Sequence, residues 1–196
     1  MTYDEKYWTS RYKDESTPWD VGQITTPLKD YFDQINNKSL KILIPGCGSA
    51  HEAIYLHSQG FKNVYLSDIS EEPILKFKYS HPDFPAAHII HGDFFEIEDS
   101  YDLIIEQTFF CALHPSQRHA YAVKMRELLN DGGRLVGLLF NDSLNSDRPP
   151  FGGFKEDYIK IFKPYFSFFV FEESYNSIPP RKERELFINL IKIGDK

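Results

Sequence analysis

The loop Pro45-Gly46-Cys47-Gly48-Ser49 is the segment of the chain best suited to hold a small molecule. Two glycines let a ligand approach backbone N–H groups that side chains would otherwise screen. Asp68 follows Gly46 by about twenty positions, the separation at which a carboxylate closing a second strand accepts hydrogen bonds from both ribose hydroxyls of a nucleoside. Further along, Gly92-Asp93-Phe94-Phe95 places an acid able to accept from an adenine amino group beside a ring able to stack on the base. The combination points to a cofactor that carries adenosine.

The glycine count narrows the choice of cofactor. A dinucleotide fingerprint needs a third glycine at position 51, and His51 stands there, so a pyrophosphate cradle and a nicotinamide-dependent oxidoreductase form the weaker reading. S-adenosylmethionine has no phosphates and needs only close backbone contact at the glycine loop, its carboxylate and amine being held by loop amides and by groups from the N-terminal segment. The run from Glu106 to Pro115 follows the fourth strand, where ligands of open α/β sheets sit. Rings in that run such as Phe110, with Trp8, Tyr12 and Trp19 folding over from the amino terminus, can surround a sulfonium by cation–π contact and keep water out.

His114 and Arg148 lie in loops expected near the methyl acceptor, where either can attract an anion or orient a thiolate. A thiol, with a reference pKa of about 8.5, is already partly ionised at neutral pH, so no general base is required and no catalytic acid/base pair is assigned. Cys47 and Cys111 read as small packed residues, and their separation gives no metal-ligand spacing.

These residues need a scaffold of alternating strands and helices. A helix over Tyr3 to Lys13 and a second from Thr26-Pro27 to Ile35 precede a strand at Leu40 to Ile44 and a helix at Ala50 to Ser58. Strands at Val64 to Ser67 and Ala87 to Ile90 flank a helix at Glu71 to Tyr79. A strand at Tyr101 to Glu106, a helix at Ser116 to Leu129 and a strand at Arg134 to Phe140, begun after a Gly132-Gly133 stop, extend the pattern. A helix at Lys155 to Phe162 leads to paired runs at Phe166 to Phe171 and Glu185 to Ile193. Such alternation predicts a Rossmann-like α/β fold with a parallel core.

The chain has 196 residues, 41% of them apolar, which fits one folded domain: a helical lid over 1–37 and a core over 38–196. A net charge of −7, with no basic run, argues against a nucleic-acid partner. Arg181, Lys182 and Arg184, interleaved with Glu183 and Glu185, read as a solvated turn of mixed charge. No apolar run approaches the ~20 residues of a membrane span, and Met1 to Ser10 is polar, so a soluble cytoplasmic protein is expected, as a monomer or weak homo-oligomer.

The segments Thr17-Pro18-Trp19-Asp20, Pro45-Gly46-Cys47-Gly48, Asp68-Ile69-Ser70, Gly92-Asp93-Phe94-Phe95, Thr108-Phe109-Phe110-Cys111-Ala112-Leu113 and Pro149-Pro150-Phe151 resemble, in order, those of the thiopurine S-methyltransferase superfamily, and within it the thiol and halide methyltransferases. The resemblance implies a seven-stranded, mostly parallel sheet with helices on both faces and an antiparallel last strand. It implies S-adenosylmethionine held by Trp8, Tyr12, Trp19, Gly46, Asp68, Asp93, Phe94 and Gln107, with a small thiol, halide, thiocyanate or thiopurine-like acceptor. Three positions depart from the family pattern: Tyr12 replaces a tryptophan, Gln107 a tyrosine and Glu183 a glycine. A domain that keeps the cofactor pocket without activity is therefore a further reading.

Overall fold

The computed structural model describes residues 3–194, and the chain divides after Ile97 into two compact units. In the first unit, α1 (Glu5–Lys13) starts at Asp4, whose side chain accepts the Tyr7 N–H, and α2 (Thr26–Asp33) carries Pro27 in its first turn. Proline is tolerated there because that N–H has no partner within the helix. There follow β1 (Ile42–Pro45), α3 (His51–Ser58), β2 (Val64–Asp68), α4 (Glu71–Ser80) and β3 (Ile89–His91). Parallel pairing runs from Ile42 opposite Val64 to Pro45 opposite Ser67, and from Leu66 opposite Ile89 to Asp68 opposite His91. All four residues of β1 are buried, the mark of a strand covered on both faces.

The second unit contains β4 (Tyr101–Gln107), α5 (Arg118–Glu127), β5 (Leu129–Phe140), α6 (Lys155–Phe162), β6 (Phe166–Glu173) and β7 (Glu185–Lys192). β4 and β5 are parallel, while β7 lies between β5 and β6 and is antiparallel to both. Gly137 in mid-strand has a steric cause: a Cβ there would lie 2.0 Å from the carbonyl oxygen of Glu106 on β4. The sheet has seven strands in the order β3-β2-β1-β4-β5-β7-β6, the expected mixed arrangement with an antiparallel last strand.

Several boundaries differ from expectation. β5 begins at Leu129 and runs through Gly132-Gly133, which sit at a register shift where Tyr101 faces Leu129 but Leu103 faces Arg134. The glycines accommodate an irregularity in the strand instead of preceding it. The expected first half of β3 is a 3-10 turn at Ala86–His88, and the helix expected from Ser116 starts at Arg118 after a 3-10 turn opened by Pro115.

Candidate functional site

Asp68 closes β2 with a side chain only 6% exposed, turned inward. Its Oδ2 accepts the Gly48 N–H at 2.9 Å and its Oδ1 the Ser70 N–H at 2.9 Å. Burial pushes its pKa up, against the opposing pull of those two amides and nearby His91. Each carboxylate oxygen keeps a second lone pair, so two ribose hydroxyls can be accepted with both amides still bound. Gly46 and Gly48 have φ of +57° and +51°, a region that costs a residue with a Cβ roughly 1–2 kcal/mol. The two glycines are bare because their backbone path demands it, while Cys47 between them is buried and the Ser49 hydroxyl after them is tied to Asp20.

The amino-terminal rings gather over this loop. Trp8 and Tyr12 each meet Trp19 edge to face, at 5.6 and 5.9 Å between centroids. The Tyr12 hydroxyl lies 2.8 Å from where a Cβ on Gly48 would sit. Burial, then the Asp68 carboxylate and Cys47, push that hydroxyl's pKa up, so it stays a neutral donor. Asp20 fastens the segment: it accepts the Ser49 hydroxyl at 2.5 Å and lies 2.7 Å from His51 Nε2. Burial alone would raise the Asp20 pKa, but the Ser49 hydroxyl, the Gly22 N–H and His51 together hold it below the usual carboxylate range. A third tie joins the Thr9 and Ser70 hydroxyls at 2.8 Å.

Other residues singled out in this unit stand differently. Ile69 is half-buried, and its carbonyl lies 3.2 Å from His91 Nε2. Phe94 is buried against Phe95. Asp93 is exposed, and its Oδ1 caps the short turn after it by accepting the Phe95 N–H. Cys47 is buried, which drives its thiol pKa far up and leaves it inert.

In the second unit, Gln107 ends β4 and is half-buried. Phe110 is 2% exposed, packed edge to face on Tyr121 and Tyr158. The Arg118 guanidinium lies 4.8 Å from the Phe110 centroid and donates to the carbonyls of Phe151 and Gly152, and its buried Nε has no hydrogen-bond partner among the described residues. Arg181 is 7% exposed and lies 3.5 Å from the buried Glu185. It is not part of a solvated turn, because a 3-10 turn at Pro179–Arg181 folds it inward; among its neighbours Glu183 and Arg184 stay exposed. Cys111 sits between these groups: burial, then Glu106, raise its pKa to about 12, against the pull of Arg181 and Arg118.

His114 and Arg148 lie apart from the Arg118 cluster's buried core. His114 is exposed, its Nδ1 2.8 Å from the Ser116 hydroxyl, though its ring touches Phe151 edge to face. Arg148 is exposed beside Asp147 at 3.6 Å. Among the described residues, no group of three or more His, Cys, Asp or Glu could hold a metal ion, and no helix is long and apolar enough to cross a membrane.

A family model described as thiopurine S-methyltransferase matches residues 3–190. The chain belongs to the thiopurine S-methyltransferase family. Membership carries the enzyme class, an S-adenosylmethionine-dependent methyltransferase. Thiocyanate methyltransferase 1 of Brassica oleracea is 31% identical over 94% of this chain and 84% of its own length. The protein of the same name from Arabidopsis thaliana is 30% identical over 94% and 83%. The thiopurine S-methyltransferase of Vibrio parahaemolyticus is 24% identical over 83% of each. Among solved structures, a Burkholderia thailandensis 1,6-didemethyltoxoflavin-N1-methyltransferase superposes with a TM-score of 0.80 at 15% identity, covering 97% of this chain and 87% of that one. Magnesium protoporphyrin IX methyltransferase from Synechocystis superposes at 0.74 with 17% identity, covering 96% and 95%. Those two likenesses concern the fold.

For this thiopurine S-methyltransferase family member, sequence reasoning missed Glu106 and Arg118. An acid ending the apolar run Leu103-Ile104-Ile105 was the available signal for Glu106. Arg118 had none, being one cation in a helix of mixed composition.

Proposed function

We propose that the chain transfers a methyl group from S-adenosylmethionine to a small, soft, anionic acceptor: a thiolate, thiocyanate, a halide or a thiopurine-like thiol. The observation that carries this reading is the buried Asp68 carboxylate bonded to the amide of Gly48, which leaves lone pairs for a ribose diol beside the two glycines of the loop. Trp8, Tyr12, Trp19, Gly46, Gly48, Ile69, Asp93, Phe94 and Gln107 complete the cofactor-binding set. The nicotinamide alternative is weakened by His51, which replaces the third glycine and is tied to Asp20.

When bound, the cofactor supplies a methyl made electrophilic by its sulfonium. The chain's own residues orient, attract and dehydrate. Asp68 and the glycine loop fix the nucleoside, and the Trp8 and Trp19 rings supply faces that stabilise positive charge. Arg118 and Arg181 draw an anionic acceptor to the aromatic cluster around Phe110, and His114 and Arg148 are the further residues proposed to attract or orient it. Holding two reactants in line is worth roughly 7–11 kcal/mol, and an acceptor already anionic needs no base. Cys111, protonated with its pKa at about 12, does not compete for the methyl group.

The same reading takes residues 1–196 as one methyltransferase domain with a lid over 1–37, cytoplasmic, without a nucleic-acid partner, and monomeric or weakly self-associating. The test is turnover of radiolabelled S-adenosylmethionine against thiols, thiocyanate, iodide and thiopurines. Robust methylation of one class supports the proposal. Silence across the panel, with cofactor still bound, leaves a non-catalytic binding domain.

A further inference from the structure

Glu106 ends β4 with no exposed surface. Burying a carboxylate is costly unless its oxygens are bonded, and here three donors converge: the N–H groups of Phe109 and Phe110 on Oε1, at 2.8 and 2.9 Å, and the Tyr121 hydroxyl on Oε2, at 2.5 Å. The two amides belong to the turn that begins at Thr108, whose φ of +59° is a conformation β-branched residues rarely adopt. Strain of that kind persists when the surroundings overdetermine it. The Thr108 carbonyl accepts the Cys111 thiol at 3.3 Å, and the Cys111 carbonyl accepts the Phe151 N–H at 2.7 Å. The Phe151 carbonyl in turn accepts from Arg118, whose guanidinium lies over Phe110. One hydrogen-bonded path thus runs from Glu106 through the turn to the cation that draws the acceptor.

Resting on the reading above, we infer that Glu106 is a positioning residue for the methyl acceptor: its carboxylate holds the Thr108–Cys111 turn, and through Phe110 and Phe151 it sets the place of Arg118. A neutral side chain could fill the same space, so an acid here serves its grip on two successive amides, since hydrogen bonds to an ionised acceptor are roughly twice as strong as neutral ones. Burial pushes the Glu106 pKa up to about 7, against the pull of Tyr121 and both amides. The titratable groups facing it are Tyr121 from α5 and Cys111 from the following loop, both kept protonated by burial, with Arg118 and Arg181 beyond Cys111. The grip therefore tightens as pH rises through neutrality.

Kinetics with thiocyanate as acceptor test this, because its charge is constant between pH 5.5 and 8.5, a range chosen to bracket about 7. Glu106→Gln keeps the shape and one carbonyl oxygen. Its kcat should fall about tenfold to a hundredfold with the cofactor KM little changed, and the decline of wild-type kcat below about pH 7 should be absent. Glu106→Ala should fall further, with Gln giving partial rescue. Wild-type kcat and an unchanged pH profile in Glu106→Gln would overturn the inference. A second readout needs no turnover: in 15N NMR of the wild type with S-adenosylhomocysteine, the Phe109 and Phe110 amides should titrate together, and immobile resonances contradict the inference. If wild type methylates no acceptor, the proposed function fails while the amide titration still decides the role of Glu106.

Discussion

The Gly48 N–H donates to Asp68 Oδ2 at 2.9 Å, which joins the acid closing β2 to the second glycine of the loop following β1. Neither residue is free to move without the other. For the proposed cofactor, loop and carboxylate would form one preformed surface, with less ordering left for binding to accomplish.

Gly48 also faces Tyr12, whose hydroxyl takes the space a side chain would need. Gly48→Ala should lower stability by about 1–2 kcal/mol from its left-handed backbone, measured by urea denaturation. Repeating it in Tyr12→Phe removes the contact and leaves the backbone strain. Most of the loss should therefore remain, and full recovery would show that the side-chain clash was the cause.

Asp20 ties the amino-terminal segment to the glycine loop through Ser49 and His51. Asp20→Ala should raise the cofactor KM several-fold and cost about 1–2 kcal/mol. Its folded pKa lies below the unfolded value, so the acid stabilises above an unfolded pKa of about 4 and that contribution is lost as pH falls through the folded one. Asp20→Asn should flatten the acid arm of a Tm-against-pH curve, and a curve parallel to wild type would count against the tie.

Arg118 presents a planar guanidinium to two carbonyls and a ring face, which a lysine cannot reproduce. Arg118→Lys should raise the KM for an anionic acceptor about tenfold, with S-adenosylhomocysteine affinity unchanged by calorimetry. A loss confined to the cofactor would place Arg118 on the wrong side of the reaction.

Glu106 has the opposite linkage to Asp20. Its folded pKa is raised from 4.5 to about 7 by burial, so the folded state holds a proton that the unfolded chain releases, and stability falls as pH rises between those values. Thermal denaturation should show Glu106→Gln gaining Tm relative to wild type from pH 5 to pH 8, bracketing about 7. A constant difference across that range would contradict the assigned ionisation.

The glycine loop and Asp68 were legible in the sequence because spacing after a strand dictates which backbone ends meet, and the amino-terminal aromatics stood out by residue type and helical spacing. The succession of strands and helices along the chain was legible from the alternation of apolar runs with turn residues. Side-chain burial at turns was not. Arg181 sits among alternating charges in sequence, yet a 3-10 turn folds it inward toward Glu185 while Glu183 stays outside. Gly132-Gly133 read as a stop but lies inside β5, because glycine serves a bulge as readily as an end. His51, noticed for the glycine it replaces, proves to be a partner of Asp20, a relation between residues 31 positions apart that local pattern does not encode.

The claim on which the rest depends is that Asp68 grips the nucleoside. Calorimetry of S-adenosylhomocysteine binding to wild type and to Asp68→Asn, with circular dichroism confirming the fold, measures it. The expected result is a loss of roughly 3 kcal/mol, about two orders of magnitude in Kd, from the charged acceptor's lost bonds to the diol. Equal Kd values in a folded variant would contradict it.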